Sequence, residues 1–206
     1  MLYRILIASL SFVFLKPVTA YLQNLPATNL EIINKSLGEV FDKWQDLINL
    51  KGKEKTYLIK VNGTDDDAEF FLSALKQRFR DYNFVYQISN DSIAVFEFTF
   101  VDISLNYTQI NQSNILGNKL VLRQIAVETK LSYIEPDFNG VETFHFNSEQ
   151  QDEFPLKDYD YIEDTSLSFA HAELPQESFI DRIIFPALLV AISAATVILF
   201  FIIRTK

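Results

Sequence analysis

The pattern of apolar and polar positions predicts two amphipathic helices in the first half of the chain. From Ile33 to Ile48 apolar residues recur with a period of about 3.6, behind Thr28 or Asn29 as a helix cap and Glu31 in the first turn. A second helix is predicted directly after Asp65-Asp66-Asp67, with basic residues toward its end as the helix dipole favours. Its apolar stripe is Ala68, Phe71, Leu72, Leu75 and Phe79.

Alternating patterns predict strands in most of the remaining sequence. A short strand is expected over Tyr57 to Val61, and a hairpin is expected from Phe84 to Val101 around Asn90-Asp91-Ser92. Further strands are expected near 103–107, 120–133 and 141–146, with Asn139-Gly140 as a hairpin turn. The order predicts an α+β domain in which the two amphipathic helices pack on a mixed, mostly antiparallel sheet.

Both ends of the chain are apolar and predict targeting and anchoring. Residues 1–20, with Arg4, an apolar run and Val18-Thr19-Ala20, are typical of a signal peptide cleaved after Ala20; a retained anchor is the alternative. Residues 183–203 are 21 positions without a charge, which predicts a single C-terminal transmembrane helix. Positive charges at 204–206 then favour a cytoplasmic tail and a lumenal domain, whereas a lipid-anchor signal is the alternative.

These expectations divide the chain into a signal peptide (1–20), a lumenal α+β domain (21–147), an acidic aromatic membrane-proximal stalk (148–182), the transmembrane helix (183–203) and a short tail (204–206). Residues 21–182 hold 14 basic and all 27 acidic residues, a net charge of −13. Such a charge disfavours nucleic acid and anionic lipid as partners. The absence of cysteine excludes thiol chemistry and favours a resident of the secretory pathway, such as the endoplasmic reticulum, over a disulfide-stapled receptor.

Candidate chemistry is sparse. The three aspartates 65–67 suit either a calcium site or, better, a helix N-terminus. His145 and His171 lack the spacing of a zinc site, and a triad of His145, Asp137 and a serine has no supporting motif. The five glycines are too scattered for a phosphate loop. We therefore expect no enzyme activity, no cofactor and no metal.

Five sequons predict N-glycosylation at Asn34, Asn62, Asn90, Asn106 and Asn111.

Small residues recur every fourth position in the apolar C-terminal segment, at Ala187, Ala191 and Ala195. Such spacing lets two helix backbones approach closely, which predicts packing against an integral membrane protein partner. The layout resembles that of accessory factors of the V-type ATPase and of glycosylation or lipid-anchor synthesis complexes. The sequence thus favours a non-catalytic type I membrane glycoprotein that serves as an accessory, assembly or stabilising subunit. The alternative is a cell-surface or vesicular binding or adhesion protein that recognises a protein ligand.

Overall fold

The computed structural model describes residues 25–63, 65–87, 93–112, 119–136, 140–176, 183 and 185–204. The predicted signal peptide lies outside these residues. In chain order the elements are α1 (Asn29–Lys51), β1 (Tyr57–Val61), α2 (Asp66–Arg78), β2 (Phe84–Val85), β3 (Ala94–Gln112), β4 (Lys119–Ile134), β5 (Val141–Pro155), α3 (Tyr159–Ile162) and α4 (Phe185–Arg204).

The two predicted amphipathic helices are present, and their ends follow from local chemistry. At the start of α1, Thr28 Oγ1 accepts from the Glu31 backbone N–H (3.2 Å), and Glu31 Oε2 accepts from the Thr28 N–H (2.8 Å). This reciprocal capping box satisfies two amides that the helix itself cannot pair. The helix ends at Gly52, whose φ of 112° is readily available to glycine.

The five strands form one mixed sheet in the order β2-β1-β3-β4-β5. Strand β1 lies between β2 and β3 and runs parallel to both, whereas β3, β4 and β5 pair antiparallel. The α+β class with a mixed sheet is therefore confirmed. The predicted hairpin over 84–101 is wrong, because β2 and β3 do not pair with each other. The alternation of apolar and polar residues within 84–101 contains no information about β1, which comes earlier in the chain and lies between these two strands.

The core lies between the two long helices and one face of the sheet. Trp44 of α1 is its centre, fully buried, with ring centroids 4.7 Å from Phe79, 5.7 Å from Phe96 and 5.2 Å from Phe98. On β4, alternate residues from Val121 to Tyr133 are buried toward the helices. The opposite face of the sheet carries mostly polar side chains and is called the open face below.

The segment predicted as a stalk is built into the domain over much of its length. Residues 148–155 lie in β5, the edge strand of the sheet. Residues 156–176, called the strap below, place Ile162, Phe169 and Ala170 in the hydrophobic core. The remaining positions, 177–182, lie outside the described residues. Burial of these apolar side chains offsets the cost of ordering an otherwise acidic segment.

The prediction of a transmembrane helix over 183–203 is contradicted. Across the described residues, no helix is both long and apolar enough to cross a membrane. The predicted single-pass type I topology, with its lumenal domain in an endoplasmic reticulum or later secretory-pathway membrane, depended on that span and is corrected with it.

Candidate functional site

A buried arginine organises a polar cluster that joins several elements of the domain. Arg123 lies in β4 at an inward-facing position and is 1% exposed. Directly opposite in β5, Asp152 accepts from Arg123 Nε at 2.8 Å and from a terminal guanidinium nitrogen at 2.6 Å. The guanidinium also lies 5.3 Å from the Phe154 ring centroid. A bidentate pair of this kind fixes the geometry of both side chains and compensates much of the cost of burying the charge.

The same arginine connects the sheet to the start of α1. Its remaining terminal nitrogen donates to the Ala27 carbonyl (2.9 Å) and to Asn29 Oδ1 (2.8 Å). The Asn29 amide nitrogen in turn donates to Tyr107 Oη of β3 (2.9 Å), to Glu163 Oε1 (3.1 Å) and to the Ala170 carbonyl (3.0 Å). One buried asparagine therefore joins α1, the sheet and the strap.

The cluster continues to the surface through a tyrosine, a carboxylate and an imidazole. Tyr107 Oη donates to Glu163 Oε1, and Glu163 Oε2 pairs with His171 Nδ1. Burial, and then the hydrogen bond to Glu163, raise the pKa of Tyr107 far above its usual range, so the phenol remains a neutral donor. In the described part of the chain, no serine or threonine hydroxyl hydrogen-bonds to His171 or His145. The hydrogen bonds of this cluster join α1, β3 and the strap.

His145 lies elsewhere, on the open face of the sheet. It pairs with Lys130 of β4, which pairs with Phe100 of β3, so the three side chains form a row across three strands. A register shift between Phe98 and Phe100 turns the Phe100 ring outward, where it is 48% exposed. Together with neighbouring residues the row lines a shallow groove of about 420 Å³. Asp137, the predicted acid of a His145 triad, lies outside the described residues.

The three aspartates at the start of α2, the N-cap Asp65 and the first helical residues Asp66 and Asp67, have three different structural partners. Asp65 caps the helix by accepting from the Ala68 N–H (3.2 Å), Asp66 accepts from Ser168 Oγ of the strap (2.8 Å), and Asp67 accepts from the Ile103 N–H of β3 (2.9 Å). Across the described residues, no group of three His, Asp or Glu side chains is placed to hold a metal ion. The aspartates join α2 to the strap and to the sheet.

Replacing Asp67 by asparagine is expected to stabilise the domain at pH 7. Burial is the main cause that raises the pKa of Asp67, aided by nearby carboxylates, so the folded state binds a proton more tightly than the unfolded state does. Stability contributed by this group therefore falls as pH rises through the folded-state pKa. Asparagine keeps an oxygen for the Ile103 N–H without the charge. Urea unfolding should show a gain at pH 7 that shrinks toward pH 3.8, the ordinary value.

The exposed Asp46→Asn variant is the matched control and should show no such pH-dependent gain. A loss of stability in Asp67→Asn that is equal at every pH would contradict the assignment of the destabilising charge to Asp67.

Four of the five predicted glycosylation sites fall on exposed positions. Asn34 lies on α1, Asn62 directly follows β1, and Asn106 and Asn111 lie on β3. Asn90 lies outside the described residues. Asn62 donates from its amide nitrogen to Glu97 at 3.0 Å, which holds the side chain against the open face. Glycosylation at these positions stays a prediction.

Helix α4 presents apolar side chains around its whole described circumference. Ala187, Ala191 and Ala195 are exposed on one side of it. Large side chains on other sides are also exposed, among them Val190 at 70% and Phe200 at 60%. A continuous apolar surface of this extent is typical of an element that another apolar surface covers.

Sequence reasoning missed the buried polar cluster. Arg123 could have indicated the cluster, because it is a charged residue among the inward-facing apolar positions of β4, between Val121 and Ile125. A charged residue at such a position is rarely buried without a partner. Its partners come from 94 and 29 positions away along the chain, so no local pattern could name them.

No protein-family model matches the chain, and no curated protein matches it. Among solved structures, rare lipoprotein B from Shewanella oneidensis is similar at 14% identity and a TM-score of 0.32, over 72% of this chain and 95% of that one. A minor lipoprotein from Acinetobacter baumannii is similar at 11% identity and a TM-score of 0.32, over 53% and 78%. A putative neuraminyllactose-binding hemagglutinin homolog from Helicobacter pylori is similar at 13% and 0.29, over 49% and 67%. At these scores the similarities carry no argument about fold or function.

Proposed function

We propose that this protein is a non-catalytic accessory subunit that is held to a partner protein through α4. The observation that carries the proposal is the exposed apolar surface of that helix. Leaving so many large apolar side chains in water is unfavourable at about 25 cal/mol per Å², so association with an apolar helix of a partner stabilises the chain. The alanine side of α4 is where a second helix backbone approaches most closely.

The chemistry of the domain also supports a binding role over a catalytic one. The charged groups of the Arg123 cluster are hydrogen-bonded to one another and to the backbone, and they join α1, the sheet and the strap. Charged groups whose hydrogen bonds are made to one another stabilise the packing of the elements that carry them. A rigid domain joined to an association helix is the construction expected of a subunit that positions or stabilises its partner.

The test is recovery of partners with the full-length chain in a mild detergent, compared with the variant Ala187→Leu/Ala191→Leu/Ala195→Leu. Added bulk on the alanine side prevents close approach of a second helix, so a stoichiometric partner should be lost. The matched control is Ser193→Leu/Thr196→Leu, which adds bulk on roughly the opposite side and should retain the partner. Equal recovery from the alanine variant and the control would contradict the proposal.

A further inference from the structure

The edge of the sheet at β5 is long and uncovered within the described residues. Strand β5 (Val141–Pro155) pairs only with β4, and its alternate residues from 141 to 153 are exposed. The Phe146 carbonyl points toward β4, where Thr129 Oγ1 donates to it at 3.5 Å. Because backbone direction alternates along a strand, the N–H and C=O groups of 145, 147, 149, 151 and 153 point away from the sheet.

These outward backbone groups form a row of donors and acceptors. Within the described chain one of them has a partner, the Asn147 carbonyl, which accepts from Lys43 Nζ of α1. The rest of the row between 149 and 153 has no protein partner among the described residues. A strand edge of this kind is a template for pairing with another extended segment.

The charges beside the edge determine which segment fits. Strand β5 carries four carboxylates. Glu142 pairs with Lys51 (2.6 Å) and Asp152 with Arg123. Glu149 and Glu153, in contrast, have no ion pair or hydrogen bond with any described residue, and both side chains lie on the open face. Glu128 of β4 and Asp102 of β3 lie opposite each other on the same face, which extends the acidic surface.

The same two glutamates disfavour a second copy of this chain. An antiparallel pairing of two β5 edges centred on Gln151 sets Glu149 of each copy opposite Glu153 of the other. Like charges directly opposite each other in a sheet are destabilising. Basic residues at two positions four apart in an added strand would instead lie opposite both glutamates.

We infer that β5 binds an extended basic segment of a partner protein, which adds to the sheet as a sixth, antiparallel strand with lysine or arginine opposite Glu149 and Glu153. Antiparallel addition is chosen because parallel pairing is slightly less stable. The backbone edge supplies affinity, and the two carboxylates supply specificity for basic side chains. The inference goes beyond the proposed function, since it uses none of α4 and can fail independently of it.

The probe is a fluorescent eight-residue peptide of alternating threonine and lysine, titrated by anisotropy into the full-length protein at low salt. Antiparallel pairing places the lysine amides toward β5, so N-methylation of the lysines should abolish binding, and N-methylation of the threonines should leave it unchanged. The charges are the same in both methylated peptides. Equal binding of the two would mean simple charge attraction and would overturn the inference, as would no binding of the unmodified peptide.

Substitutions in the protein test the same binding surface. Glu149→Lys/Glu153→Lys is expected to weaken peptide binding by about tenfold or more, whereas Asp46→Lys/Glu54→Lys makes the same charge change at exposed positions outside the sheet and should weaken it little. Gln151→Pro removes an outward N–H without breaking a bond to β4 and should also weaken binding. If wild-type affinity persists in the Glu149/Glu153 variant, or if the wild type instead dimerises through β5, the inference is wrong.

Discussion

Replacing Trp44 by alanine is expected to destabilise the domain by about 3 to 5 kcal/mol, which is a large part of the ~5 to 15 kcal/mol that holds a domain of this kind together. Trp44 is fully buried and contacts the rings of Phe79, Phe84, Phe96 and Phe98. Its removal leaves a cavity where α1, α2 and the sheet meet, and rigid aromatic neighbours cannot collapse to fill it. Urea unfolding followed by circular dichroism measures the loss.

Trp44→Phe is the matched control. The indole N–H of Trp44 has no hydrogen-bond partner among the described residues. Phenylalanine keeps ring contacts and removes this buried donor, which on folding gives up its hydrogen bond to water without replacement. We expect the phenylalanine variant to lose less than half of what the alanine variant loses. Equal losses in the two variants, or an alanine variant as stable as wild type, would contradict this description of the core.

Replacing Arg123 by methionine is expected to cause the second large loss of stability. Arg123→Met deletes one partner of a buried ion pair, a change that typically costs about 3 to 5 kcal/mol. It also leaves the Ala27 carbonyl and Asn29 Oδ1 without their donor. The side chain of Asp152 is 40% exposed and can recover hydration, so the cost is expected toward the lower end of that range. Limited proteolysis should show earlier cleavage in the strap.

The exposed pair of Arg78 and Asp42 supplies the control. Arg78→Met removes an ion pair of 2.7 Å in which both side chains are more than half exposed, and such pairs contribute at most about 1 kcal/mol. Equal destabilisation by Arg78→Met and Arg123→Met would show that the buried cluster does not have the structural role assigned to it.

The pattern of apolar and polar residues predicted those helices and strands whose formation depends on nearby residues. The period of α1, its Thr28 and Glu31 cap, and the strand at Tyr57 to Val61 depend on neighbours within a few positions, so the sequence shows them directly. The hairpin expected over 84–101 failed because strand order depends on β1, more than 20 positions away. The packing of the strap was not predicted for a related reason, since its acidic composition hides that Ile162 and Phe169 complete a distant core.

The candidate site was harder to predict than the fold. Asp65 as a helix cap follows from its position before α2, whereas the partners of Asp66 and Asp67 come from the strap and β3. Arg123 was visible as a charged residue in an apolar alternation, but Asn29, Tyr107 and Glu163 become its neighbours only when α1, β3 and the strap meet. Such clusters are set by tertiary contacts, which single-sequence periodicity does not contain.

The most direct test of the proposed function is site-specific photocrosslinking from α4 in the cell of origin. A photoreactive phenylalanine analogue replaces Ile198, which is already a large exposed side chain on the alanine side, or Leu189, on roughly the opposite side of the helix. A single partner protein crosslinked from position 198 and weakly or not at all from 189 is the result that we predict. No protein crosslinked from either position, or the same diffuse set from both, would contradict a subunit held through the alanine side of α4.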